Sequence, residues 1–237
     1  MVMAVFAISD LHLSFANPKP MDIFGDVWLN HAEKIESGWR SVVSDSDIVL
    51  MPGDLSWAIR LEDAVPDLQF VASLPGGKVL VRGNHDFWWS RQMTRRIQTL
   101  YPSGMTFLQG TSIVYNGVGI TGTRGWREES ESGANDADKS VRTDKILNRE
   151  LAYLETGLGS IPSSAQMKIA MLHYPPFDED FTFNEFGAIL KRHAVDAVVY
   201  GHIHLGTCRW FDGEMEGIRF HPVSADIIDF VPRLVVP

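Results

Sequence analysis

The chain has a single cysteine, Cys208, so no disulfide can form within it. A lone thiol suits a reducing compartment, and Cys208 is expected as a small, buried or half-buried side chain. Long apolar runs are missing too, and no window approaches the roughly 20 residues that span a bilayer. The first residues are apolar but few, lack a basic stretch and meet Asp10 at once, so no signal peptide is expected. These absences point to a cytoplasmic chain with no membrane partner. Basic charge is scarce, with 21 Lys and Arg against 30 Asp and Glu and a formal net charge of −9. A general nucleic-acid coat would carry a basic patch, so nucleic acid is not expected as a partner. A nuclease is disfavoured but survives, because bound divalent ions would invert the field locally. No internal repeat, linker or low-complexity tract divides the 237 residues, and one domain over 1–237 is expected.

The most informative stretch runs from Lys78 to Asp86. Val79, Leu80 and Val81 have the length and β-branched content of a buried strand, and Gly83 ends it. Asn84, His85 and Asp86 then stand at its carboxyl end, where parallel sheets hold their ligands. An amide oxygen, an imidazole and a carboxylate in a row can ligate metal and move protons, although Asn-His-Asp also suits a surface turn. Four other segments repeat the design: Ser9-Asp10-Leu11-His12, Gly53-Asp54, His173, and Gly201-His202-Ile203-His204. Each follows an apolar run, at Val5 to Ile8, Ile48 to Met51, Ile169 to Leu172 and Ala197 to Tyr200. Five of the eight histidines fall in these positions, which scatter would rarely produce.

Between the strands, helices are expected from Asp26 on a stripe of Trp28, Ala32, Ile35, Trp39 and Val42, and near Asp63 to Leu74 with Pro66 in the first turn. Ser90 can cap a short helix through Leu100, and Asn116-Gly117 is the strongest hairpin signal. Residues 123–138 are polar and acidic and read as a loop or lid. Ser140 to Leu158 and Asn184 to His193 read as helices, and two or three closing strands cover Thr207 to Asp229. His31 lies off its helix stripe and reads as solvated, while His193 and His221 read as structural. Early strand–helix alternation followed by hairpins suits an α/β fold, a four-layer αββα sandwich of two mixed β-sheets flanked by helices.

The ordered set DxH…GD…GNHD…H…GHxH, from Asp10 to His204, resembles the calcineurin-like metallophosphoesterase superfamily, with every metal-ligand position filled. The resemblance implies the same four-layer sandwich and a dinuclear metal-dependent phosphohydrolase. It places Asp10, His12 and His204 on one ion, Asn84, His173 and His202 on the other, and Asp54 between them. His85 would protonate the leaving oxygen while a metal-bound hydroxide attacks in line. Mixed Asp, His and Asn donors suit two transition-metal ions, divalent or trivalent, drawn from Mn, Fe and Zn. Serine/threonine phosphatases of the superfamily carry GDxxDRG, whereas residues 53–59 here read Gly-Asp-Leu-Ser-Trp-Ala-Ile. That departure disfavours a phosphoprotein substrate and leaves the partner of His85 open, with Asp86 adjacent as the catalytic candidate. A small phosphoester is expected, with nucleotides or phosphodiesters first. The alternative from another class is a catalytically silent metal-binding scaffold for a protein partner.

Arg124 and Arg127 open the polar loop and can supply the missing phosphate clamp, since guanidinium binds phosphate through two parallel hydrogen bonds. The competing reading pairs them with Glu128, Glu129 and Glu131. Trp57, Trp88, Trp89 and Trp126 follow motif segments and either line the site or pack in the core, which is expected of at least two.

Overall fold

A computed structural model of the protein describes residues 3–101, 104–127 and 136–237. The elements run β1 (Val5–Ala7), α1 (His31–Val42), β2 (Ile48–Pro52), α2 (Leu61–Ser73), β3 (Gly77–Val81), α3 (Thr94–Leu100) and β4 (Met105–Phe107). There follow β5 (Ser112–Tyr115), β6 (Val118–Thr123), α4 (Asp136–Gly159), β7 (Met167–Leu172), α5 (Glu185–Arg192), β8 (Ala197–Tyr200), β9 (Gly213–Met215), β10 (Ile218–Pro222) and β11 (Arg233–Val236).

The period of two along each strand builds the layers. Val5, Ala7, Ile48, Leu50, Val79 and Val81 share one buried cluster with Ile120, Ile169, Met171, Ala197 and Val199, which is the seam between two sheets. The alternate residues Phe6, Ile8, Val49, Met51 and Leu80 face Ile35, Trp39, Leu68 and Val71 of α1 and α2. Likewise Ala170, Leu172, Val198 and Tyr200 face Leu154, Leu158, Phe186 and Leu190 of α4 and α5. One sheet has the order β11-β1-β2-β3-β4 and the other β5-β6-β7-β8-β10-β9. Antiparallel pairs are confined to the β11, β5 and β9 edges, and every other pairing is parallel. This is the expected αββα sandwich of two mixed sheets.

Local chemistry explains the turns and the departures. Asn116 and Gly117 both have positive φ, 45° and 82°, as a two-residue hairpin requires, and they join β5 to β6. Asn184 caps α5 by accepting from the amides of Phe186 and Gly187. The helix expected from Asp26 starts only at His31, because Gly25 (φ 129°) and Asn30 (φ 55°) break the chain into short 3-10 turns first. Pro66 lies in the second turn of α2, not the first, since the helix begins at Leu61. Ser90 makes no side-chain cap, and a 3-10 turn intervenes before α3. Residues 136–138 belong to α4, and the rest of the expected polar lid, 128–135, lies outside the described residues. Cys208 is exposed, contrary to expectation, because it sits in the turn after the second sheet's ligand loop. No described helix is long and apolar enough to cross a membrane.

His221 is buried on β10, and its Nδ1 has no hydrogen-bond partner among the described residues. Burial, then Arg233 and Arg219, pull its pKa down from 6.5 to about 4, while Asp212 opposes them. The folded pKa lies below the unfolded one, so the unfolded chain takes up the proton first. Stability from this group is therefore constant above pH ~6.5 and falls as the pH drops toward 4. His221→Gln should lose less Tm than the parent between pH 7.5 and 5, by ~2–4 °C for each ~1 kcal/mol in a chain of this size. Parallel thermal melts at the two pH values check this, and equal losses would remove His221 as the acid-sensitive group.

Candidate metal centre

The carboxyl ends of β1, β2 and β3 meet those of β7 and β8 at one rim, and the segments after them carry the expected ligands. Backbone bonds pin the first two exits together, Asp10 N to Gly53 O at 3.0 Å and His12 N to Asp54 O at 3.1 Å. Asp10, His12, Asp54 and His202 all have positive φ, from 48° to 70°. Four non-glycine residues in that region in one site mark a backbone that the surrounding fold holds in place. The glycines beside them allow close approach. A Cβ at Gly83 would overlap Asp54 Oδ1, and one at Gly201 would overlap Asp10 Oδ2.

All seven expected donors gather here. Asp10, His12 and His204 bring one ligand atom each to within 4.8 Å of one another, and so do Asp10, Asp54 and His173. Asp54 Oδ2 lies 3.9 Å from His12 Nε2 and 3.5 Å from His173 Nε2, between the two groups. Asn84 Oδ1 lies 2.5 Å from His173 Nε2 and 3.1 Å from His202 Nδ1. The amide of His85 donates to Asp54 Oδ1 at 2.8 Å, which leaves Oδ2 for the centre.

Electrostatics fit a cation. Burial, then the charges of Asp10 and Asp86, hold the Asp54 carboxyl well above its usual range. Burial chiefly lowers the imidazoles of His12, His173 and His202, the latter two to about 3, so they stay neutral with a lone pair to give. His204 goes the other way: burial lowers it, but the hydrogen bond to Asp226 and the charges of Asp10 and Asp226 outweigh that. Crowded carboxylates beside the neutral imidazoles of His12, His173 and His202 favour a cation, and the Asp, His and Asn donors suit first-row transition metals.

A family model described as calcineurin-like phosphoesterase matches residues 3–206. The chain belongs to the calcineurin-like phosphoesterase family. No curated protein matches it in sequence. Among solved structures it is similar to the phosphopantetheinyl hydrolase of Mycobacterium tuberculosis, with 18% identity, 99% of this chain and 96% of that one covered, and a TM-score of 0.62. A protein from Thermus thermophilus matches at 13% identity over 100% and 99% of the two chains, with a TM-score of 0.52. A protein of unknown function from Aquifex aeolicus matches at 15% identity over 98% and 96%, with a TM-score of 0.46. At these identities the likeness concerns the fold.

In this family member the residues behind the donors set their orientation. His173 Nδ1 donates to the Pro52 carbonyl at 3.0 Å, which fixes the tautomer and turns Nε2 to the centre. His204 Nδ1 bonds Asp226 Oδ1 at 3.0 Å in the same way. Ser9 and Ser224 hydroxyls and the His202 amide donate to the Asp10 carboxylate. Sequence reasoning missed Asp226, although it stands just beyond β10 and so repeats the strand-then-donor design. Asp86 is corrected. Its carboxylate accepts from the amides of Asp54, Leu55, Ser56 and Gly83 and from Trp88 Nε1, at 2.8–3.2 Å. It is wholly given to bracing the two loops, so it positions Asp54 and is not a catalytic group.

The aromatic residues divide as expected. Trp88 and Trp89 are core, whereas Trp57 stacks on His12 at 4.7 Å and meets His85 at 4.3 Å. His31 is corrected from solvated to half-buried, edge-on to Trp28 at 5.7 Å with its Nε2 sealed from water. Arg127 pairs with Glu179 at 2.7 Å, and Glu128, Glu129 and Glu131 lie outside the described residues. Arg124 lies over Trp126 at 4.7 Å and points into a side cavity rather than the groove beside His85. Asp226→Ala should weaken metal retention by ~10–100-fold, the usual effect of losing a carboxylate behind a ligating histidine. Metal content after dialysis against graded chelator reads this, with parental retention as the contrary result.

Proposed function

We propose that this phosphoesterase hydrolyses a small phosphoester with two transition-metal ions, Mn, Fe or Zn, within one domain spanning 1–237. The observation that carries the reading is Asp54 Oδ2 lying between the His12 and His173 nitrogens, with Asp10 common to both donor groups. Asp10, His12 and His204 would hold one ion, Asn84, His173 and His202 the other, and Asp54 both. When bound, such a pair neutralises phosphoryl oxygens and acidifies water.

The chain's own part is placement and proton transfer. His85, half-buried between His12, Trp57 and Phe87, gives a proton to the leaving oxygen as water attacks phosphorus in line. A groove of about 390 Å³ opens beside it, lined by Met21, Phe24, Val27, Trp28, Trp57 and Leu205. Its apolar wall favours a flat or apolar leaving group, so a nucleotide or mixed diester fits better than a phosphoprotein. The net charge of −9 supports a small substrate over a polymer, and the lone exposed thiol supports a cytoplasmic setting.

Metal analysis of chain purified without chelator should find two ions, and saturation at one after reconstitution would overturn the dinuclear reading. Asp54→Ala should lose the most metal of any single ligand change. His85→Ala should keep its metal but lose roughly 10²–10⁴-fold in kcat, least for nitrophenyl esters whose leaving group needs little protonation. Equal losses across leaving groups of widely different pKa would assign His85 another role. Reconstituted protein inert toward both mono- and di-nitrophenyl phosphate would favour the silent scaffold.

A further inference from the structure

Next to the centre, on the β3–β4 side of the same rim, lies a second cavity of about 160 Å³. Its walls come from the exits of β3 and β6, the segment after β4, the 3-10 turn before α3, and α4. Four arginines line it, Arg82, Arg91, Arg124 and Arg149, against one carboxylate, Glu150. That carboxylate is already engaged, by Arg149 at 2.9 Å and by the Thr123 hydroxyl. Arg82 gives its Nε to the Asp86 carbonyl at 3.3 Å. Arg124 is mostly enclosed, and its Nε and Nη2 are sealed from water with no hydrogen-bond partner among the described residues.

This arrangement is costly unless something completes it. Guanidinium groups of like charge converge, and buried N–H donors go unsatisfied, each a desolvation penalty with nothing in return. Structural arginines of this kind are normally met by carboxylates or carbonyls, and here the supply falls short. The missing partner is negative, compact and rich in acceptor oxygens, because four arginines line one small space and the buried Nε and Nη2 of Arg124 lack an acceptor among the described residues. A carboxylate offers two oxygens, whereas a phosphate-like group offers three or four and can be reached from several sides.

We propose that the cavity is an oxyanion site for a phosphate-like group, built by Arg82, Arg91, Arg124 and Arg149 and separate from the metal donors. Its position, with Arg82 two residues from Asn84 and the Arg124 carbonyl accepting from the His173 amide at 3.1 Å, ties it to the centre. The group is either a second phosphate on the substrate or free orthophosphate. The first of these rests on the hydrolase reading, and the site itself does not.

The test uses the full-length, metal-loaded chain and the variant Arg91→Gln/Arg149→Gln, which spares Arg82, two residues from Asn84, and Arg124, whose carbonyl accepts from the His173 amide. Calorimetry with sodium sulfate should give saturable binding in the parent that weakens by ~10-fold or more in the variant, about what one charge-assisted hydrogen bond carries. Metal content and Tm, measured alongside, should match the parent. Arg91→Gln and Arg149→Gln singly should each weaken sulfate binding, which keeps the test alive if the double variant misfolds. Kinetics then separate the sources. A preference for adenosine 3′,5′-bisphosphate over adenosine 3′-monophosphate that the variant loses assigns a substrate subsite. A phosphate effect on nitrophenyl phosphate turnover that is not competitive, and that the variant loses, assigns free orthophosphate. No sulfate binding in the parent, or equal binding in parent and variants, overturns the proposal. Sulfate binding that the variants lose in a protein inert toward every ester would sink the hydrolase reading and leave the oxyanion site standing.

Discussion

Asp10 and Asp54 are buried side by side, with the neutral imidazoles of His12, His173 and His202 around them and no ammonium or guanidinium paired to either among the described residues. Bringing two carboxylates out of water into one small volume is among the least favourable things a fold can do. The sandwich nevertheless holds them there. Four residues of the centre sit in the left-handed region, and Gly53, Gly83 and Gly201 admit contacts that no side chain would. Cost concentrated in this way is the mark of a site arranged for a ligand, and the donor set fits a metal ion.

The supporting structure is a layer of buried polar groups behind the donors. Asp86 collects the amides of the β2 exit and of Gly83, so one carboxylate locks two loops from adjacent strands. Pro52 and Asp226 play equivalent parts for His173 and His204 by fixing which ring nitrogen carries the proton. None of these groups faces the centre. Each decides what a residue that does face it can offer.

Around the centre the two flanks differ in character. On the Trp28 and Trp57 side the wall is apolar, and His85 stands at its edge. On the β3–β4 side the wall is cationic and partly unsatisfied. A phosphoester has the same polarity, an uncharged organic group at one end and anionic oxygens at the other. Under the proposed reading the apolar side takes the organic group and the cationic side a second phosphate, with the metal donors between them.

Much of this was legible in the sequence, because strands alternate and because the residue after a parallel strand has nowhere to go but the rim. The apolar runs ending in Asp10, Asp54, Asn84, His173 and His202 thus gave both the strands and the donors, and Asn116-Gly117 gave its hairpin from backbone chemistry alone. What the sequence did not carry was direction and long-range proximity. Asp86 is one residue from His85 in the chain, yet its carboxylate turns to amides 30–32 residues away. Asp226 reaches His204 across 22 residues, and the His202 amide reaches Asp10 across 192. Arg124 was legible as a phosphate-binding residue type, but only packing turned it toward Arg82, Arg91 and Arg149. Periodicity is local and survives in one dimension, whereas which way a side chain faces is set by neighbours that only the folded chain brings together.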